Sequence, residues 1–281
     1  MANITKAEQT AVATVDEDFD WEQYAGQGLE DITSEDKGLP FIDILQPLSP
    51  EVDELPGAKA GMIVNKATKE LVEGDKGIRF VPACRDHVYT EWKPRDAGGG
   101  LVATYQIDDP VVREARSKQR VGKHILPNGN ELIETYYVYG VLLDDEDNPT
   151  PAVISFTSTK IAAFKTMITR ADSIMWKTRD GRKMKAPLFG HVWRLRTEKK
   201  KKDNYSWYNW VPAFDGASNR AEEARLPSNH IAFQLASDIN LSQKNGQLKT
   251  NTDTLARDDA GTSTEYSGGG GATYDSDEPP F

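Results

Sequence analysis

The stretch PAVISFTSTKIAAFKTMITRADSIMWKTRDGRKMKAPLFGHVWRLRT, residues 151–197, decides the fold. It opens on PAVISFTS, an apolar run of strand character bounded by proline. Ile161, Phe164, Ile168 and Ala171 then recur at helical spacing, with Lys160, Lys165 and Arg170 off that stripe, and Thr157 or Ser158 stands where an N-cap is needed. A basic connection, MWKTRDGRKMKAP, leads into LFGHVWRLRT, a second strand. One short helix held between strands predicts a mostly β (α+β) protein.

The flanking segments extend the pattern. Downstream, NYSWYNWVPAF reads as a strand joined to LFGHVWRLRT by the basic loop EKKKKD. Upstream, TYYVYGVLL and PAVISFTS flank DDEDNPT, predicting a hairpin over 135–158 whose acidic tip lacks the spacing and glycine of a calcium loop. LPFIDILQ is a short strand ended by Pro47, and GMIVNKATKELV a strand or hairpin. GIRFVPACRDHVYTEW alternates apolar and polar residues, PRDAGGG breaks it, and LVATYQI resumes. Residues 110–120 read as one basic helix, LPNGNE carries the Asn-Gly pair of tight hairpins, and LPSNHIAFQLASDI is a last strand or short helix.

Composition divides the chain into four. Residues 1–38 are acidic and lack apolar periodicity, as expected of a disordered arm; order begins near Leu39, and 39–240 forms the folded domain. Residues 241–274, with the run SGGGG, are a flexible linker, and 275–281, DSDEPPF, an acidic tip.

The formal charge of −10 hides an uneven distribution. Residues 1–38 carry net −8 and residues 252–281 net −6, leaving 39–251 at +4. Within that, 160–202 holds fourteen Lys and Arg against three acids, enough to set up a local positive field. The segment KAPLFGHVWRLRTEKKKKDNYSWYNWVPAF interleaves cations with rings, the mixture that single-stranded nucleic acid binding needs: cations follow phosphates, and rings stack on bases at roughly 1–3 kcal/mol each. Trp193, Tyr205, Trp207, Tyr208 and Trp210 supply rings; Arg194, Arg196, Lys199, Lys200, Lys201 and Lys202 supply charge. Alternation sends neighbours such as Trp207 and Tyr208 to opposite faces, so some of these rings belong to the core. The connection adds Lys177, Arg179, Arg182, Lys183 and Lys185; WKPRD adds Trp92, Lys93 and Arg95; REARSKQR adds Arg116, Lys118 and Arg120.

Other chemistries find little support in the residues. One cysteine, Cys84, excludes an internal disulfide and a CxxC site, and four scattered histidines make a metal centre unexpected; no cofactor is expected. Asp86 and His87 are adjacent and fall on opposite faces of a strand, and there is no Walker loop, GxGxxG or GxSxG. The expectation is a non-enzyme. Two rival readings stand: a metal-dependent recombination or nuclease component using acids among Asp86, Asp96, Asp108 and Asp109, and an interaction protein that uses its acidic ends without nucleic acid. No apolar stretch approaches a membrane span, and no signal pattern opens the chain, which predicts a cytoplasmic protein.

An acidic cluster ending in Pro-Phe on a Gly-rich linker resembles the tip of bacterial single-stranded DNA-binding proteins, although PPF replaces a single proline and fewer acids are consecutive. The resemblance implies a docking peptide: Asp275, Asp277 and Glu278 on a partner's basic rim, Pro280 and Phe281 in its apolar pocket. The body is similar to the phage-encoded members, elaborated oligonucleotide/oligosaccharide-binding (OB) barrels, because the helix stands between PAVISFTS and LFGHVWRLR and a basic loop precedes the last long strand. That likeness implies an OB-like domain binding single-stranded DNA, with RNA as an alternative ligand, in the host cytoplasm. Replication and recombination enzymes would be the tip's partners, with oligomeric state left open.

Overall fold

The computed structural model describes residues 38–246, apart from 95–96 and 119–123, together with Tyr24, Gln27 and Gly28. The chain divides into Met1–Gly38 and Leu39–Phe281. In the first unit the Gln27 amide donates to the Tyr24 carbonyl at 3.1 Å. The elements that follow belong to the second.

In chain order these are β1 (Phe41–Ile44), α1 (Glu51–Glu54), β2 (Ile63–Asn65), β3 (Leu71–Val72), β4 (Ile78–Trp92), β5 (Leu101–Gln106), α2 (Pro110–Lys118), β6 (His124–Ile125), β7 (Glu131–Leu143) and β8 (Pro149–Thr157). Then come α3 (Lys160–Asp172), β9 (Met175–Lys177), β10 (Lys183–Lys185), a 3₁₀ turn at Leu188–Gly190, β11 (Trp193–Lys202), β12 (Tyr205–Phe214) and α4 (Ile231–Lys244). The fold is mostly β: one sheet in the order β12-β11-β4-β7-β8-β1-β2-β3, with β5 on β4 and β6 on β7, curled into an OB-like half-barrel. β9 and β10 form a separate two-stranded ribbon. Strand pairs are antiparallel except β1 with β8. β4 can carry Pro82 because the register against β7 shifts between Pro82 and Cys84, a bulge that removes the need for its amide.

Both faces of the sheet are covered. On one, Phe80, Trp193, Leu195, Trp210 and Phe214 pack with Ile161, Phe164 and Met167 of α3. On the other, Val81, Cys84, Tyr139 and Val153 meet Ala232, Ala236 and Ile239 of α4. Each fully buried large side chain here is worth roughly 1.5–3 kcal/mol. α3 is also fixed at its start, where the buried Lys160 ammonium pairs with the Asp43 carboxylate of β1. Removing one partner of such a pair strands a buried charge, at a cost of about 3–5 kcal/mol.

The half-barrel is tied across its open side by side chains. Past β1, Gln46 bonds both the amide and the carbonyl of Tyr208 in β12, at 2.9 and 3.0 Å. Gly61, with φ +95°, lies so close that a Cβ there would sit 2.3 Å from the Tyr208 ring, and its carbonyl accepts from the Thr197 hydroxyl at 2.5 Å. Farther along the outer edge of β12, Trp210 N–H donates to Asn209 Oδ1, Arg170 donates to the Pro212 carbonyl, and Phe214 N–H donates to Asn219 Oδ1.

Several expectations are corrected by the geometry. Helix α3 begins one residue past Thr159, whose side chain makes no capping bond, so neither Thr157 nor Ser158 is its N-cap. Of LPSNHIAFQLASDI, expected as a strand or short helix, the part from Ile231 is helical, and α4 runs to Lys244, past the expected boundary at residue 240, because Ala232, Ala236 and Ile239 align on one face against the sheet. MWKTRDGRKMKAP is a hairpin rather than a plain connection. The linker and tip from 247 on, including Asp275, Asp277, Glu278, Pro280 and Phe281, lie outside the described residues, as does most of 1–37.

Candidate nucleic-acid interface

β11 and β12 pair from Trp193 opposite Phe214 to Lys202 opposite Tyr205, leaving only Asp203 and Asn204 for the turn. Asp203 takes φ +53°, a conformation that short polar side chains tolerate. The lysines expected in a loop are therefore strand residues, each with a defined neighbour: Lys199 faces Tyr208, Lys200 faces Trp207, Lys201 faces Ser206 and Lys202 faces Tyr205. Residues directly opposite share a face of an antiparallel ribbon, so Lys200, Trp207, Lys202 and Tyr205 lie together on one face and Lys199, Tyr208 and Lys201 on the other.

The lysines are exposed, Tyr205 is 49% exposed, and Trp207 and Tyr208 are half-buried. Lys200 is paired with Glu198. Among the described residues Lys199, Lys201 and Lys202 make no salt bridge, which leaves three uncompensated cations on one short ribbon. Trp207 Nε1 is buried and has no hydrogen-bond partner among the described residues. A ring beside two ammonium groups, on a ribbon reaching past the barrel, can stack on a base while its neighbours meet the adjoining phosphates.

The other rings of the predicted set go elsewhere. Trp193, Trp210 and Trp92 are 0%, 3% and 6% exposed, with no face for a base. Trp193 and Trp210 fill the interior against α3 because they fall on the same inward parity as Leu195, and Trp92 donates its Nε1–H to Thr90 Oγ1 at 2.9 Å. Arg194 is equally committed: it shares Asp215 with Arg79, which reaches on to Asp147 at 2.5 Å. Arg196 is exposed opposite Val211.

The remaining cations form two further groups. Lys177, Arg179, Arg182, Lys183 and Lys185 are on the β9–β10 ribbon, whose Trp176 packs against Gly190 and His191 beside the start of β11. From Trp193, by that ribbon, to Lys200, opposite Trp207, is seven residue steps, about 23 Å of strand. Lys93 follows the end of β4, which runs antiparallel to β11 and so leads away from the lysine hairpin; Arg116 and Lys118 are exposed on α2, where Lys118 pairs with Glu114 at 2.7 Å. Arg95 and Arg120 lie outside the described residues. Two positioning residues escaped sequence reasoning: Gln46, which braces Tyr208, and Arg225, whose guanidinium sits 4.4 Å from the Trp176 ring centroid. Neither carries a local signal, since both contacts join segments far apart in the chain.

The acids weighed for a metal site are dispersed. Asp86 accepts from Tyr139 and from Gln243 of α4, and Asp109 accepts from the Val111 amide at the start of α2; Asp96 lies outside the described residues. Among the described residues no three His, Cys, Asp or Glu gather at ligand distance. His87, on the opposite face from Asp86, stacks on Tyr136 at 4.1 Å, and burial holds its pKa down despite the Glu134 carboxylate 2.8 Å away.

Residues 6–249 match the model of the Pam3 phage gp34-like protein family, and the chain belongs to that family. No curated protein and no solved structure shows a significant match. No helix among the described residues is long and apolar enough to cross a membrane.

Proposed function

We propose that this phage protein is a non-enzymatic, sequence-tolerant single-stranded DNA-binding protein acting in DNA replication, recombination or repair. One observation carries the reading: Lys200 and Lys202 stand directly opposite Trp207 and Tyr205 on an exposed ribbon whose lysines largely lack carboxylate partners. That arrangement suits a single strand, whose bases are free to stack, better than a duplex, whose bases are already stacked. The terminal DSDEPPF supports a second role, recruitment of partner enzymes by an acidic peptide.

Tryptophan fluorescence on titration with oligo-dT tests the reading. Quenching by oligo-dT should exceed that by duplex of equal length and weaken with salt, as counterion release requires. Because Trp92, Trp193 and Trp210 are buried, Trp207→Phe should weaken the quenching by removing the hairpin's contribution. An unquenched wild-type protein at low salt would overturn the proposal.

A further inference from the structure

The β9–β10 ribbon pairs Lys177 directly with Lys183. Like charges at directly opposed positions repel, and ribbons ordinarily avoid them. Neighbouring cations on the same ribbon are compensated: Arg182 pairs with Asp180 and Lys185 with Asp172, each at 2.5 Å. Lys177 and Lys183 are exposed and, among the described residues, make no salt bridge, nor does the exposed Arg179 in the turn between them. The ribbon is not a loose tip. Trp176 anchors it between the Arg225 guanidinium and Gly190, where a Cβ would stand 2.6 Å from the indole.

From this juxtaposition we infer that Lys177 and Lys183 form a second phosphate clasp, distinct from the β11–β12 hairpin, which holds the same single strand farther along. The inference rests on the proposed function and adds a length requirement to it. The two contacts are separated by about 23 Å of strand, a span that needs about seven nucleotides stacked at 3.4 Å each. Long oligonucleotides bridge both contacts; a tetranucleotide engages only the hairpin.

The test is Lys183→Glu in the full-length chain, read by Trp207 quenching. The substitution sets a carboxylate opposite Lys177, replacing repulsion by attraction, so the melting temperature should hold or rise. Affinity for dT20 should nevertheless fall about tenfold, and the slope of log affinity against log salt should shrink by about 1.4, two phosphate contacts at about 0.7 each. Quenching by dT4 at low salt should match the wild type. Unchanged dT20 affinity and slope, with Trp207 quenching intact, would overturn the clasp while sparing the hairpin reading. Equal losses on dT4 and dT20 would overturn the separation of the two contacts. Absence of quenching in the wild type would instead remove the proposed function itself.

Discussion

The Gln46 side-chain amide bonds both polar groups of Tyr208: Oε1 accepts from the backbone N–H at 2.9 Å and Nε2 donates to the carbonyl at 3.0 Å. Gln46 thus completes β12 as a neighbouring strand would, and braces the ring-bearing ribbon next to Trp207. Gln46→Ala leaves a part-buried amide and carbonyl unpaired and should cost about 1–3 kcal/mol. Thermal unfolding should show that loss, and oligo-dT quenching should weaken as the ribbon loosens. Gln46→Glu restores an acceptor but no donor, and should recover only part of the stability.

Residues 252–281 carry net −6, opposite in sign to the +11 of 160–202. A tethered polyanion competes with DNA for exposed lysines wherever screening is weak. Truncation after residue 251 should raise oligo-dT affinity at low ionic strength and leave it unchanged at high. Equal affinities of the two chains at low salt would dismiss the competition.

His191 is 2% exposed, between Trp176 and Phe214. Burial, reinforced by the Arg225 charge, lowers its pKa from 6.5 to about 4. A depressed folded-state value means that the unfolded chain binds the extra proton first. His191 therefore stabilises the fold fully above about pH 6.5, and that contribution, about 3 kcal/mol at most, is lost as pH falls towards 4. Melting temperatures should drop across this window, and His191→Gln should flatten the slope even if it lowers the plateau.

Cys84 lies 6% exposed under α4, and burial, aided by the Asp86 charge, pushes its thiol up to about 12. Thiolate is the reactive form, so the native protein should resist alkylation at pH 8 and react at the ordinary rate in denaturant. Rapid labelling of the folded chain would show that α4 detaches readily.

The local elements were legible because their signals are local. The hairpin of TYYVYGVLL and PAVISFTS and the stripe Ile161, Phe164, Ile168 appear as β7, β8 and α3. The two-residue turn Asp203–Asn204 was the missed cue: counting outward from it sets Lys200 opposite Trp207 and shows the lysines to be strand. Choosing which tryptophans are buried needed more. Trp193 and Trp207 have similar neighbours in sequence, and only the position of α3 across the sheet puts one in the core. The three-residue strands β9 and β10 are too short for periodicity, and depend on Trp176 docking at Gly190. How far apart the basic segments lie was likewise a matter of topology, which sets the β9–β10 ribbon and the lysine hairpin toward opposite ends of β11.

The outer margin of β12 has a consequence for how copies of the protein can meet. Gln46 takes both the amide and the carbonyl of Tyr208, Asn209 the amide of Trp210, Arg170 the carbonyl of Pro212 and Asn219 the amide of Phe214, and Pro212 has no amide hydrogen to offer. A margin so occupied offers an incoming strand few groups to zip onto. Two copies meeting at this edge would find few groups with which to knit their sheets into one another.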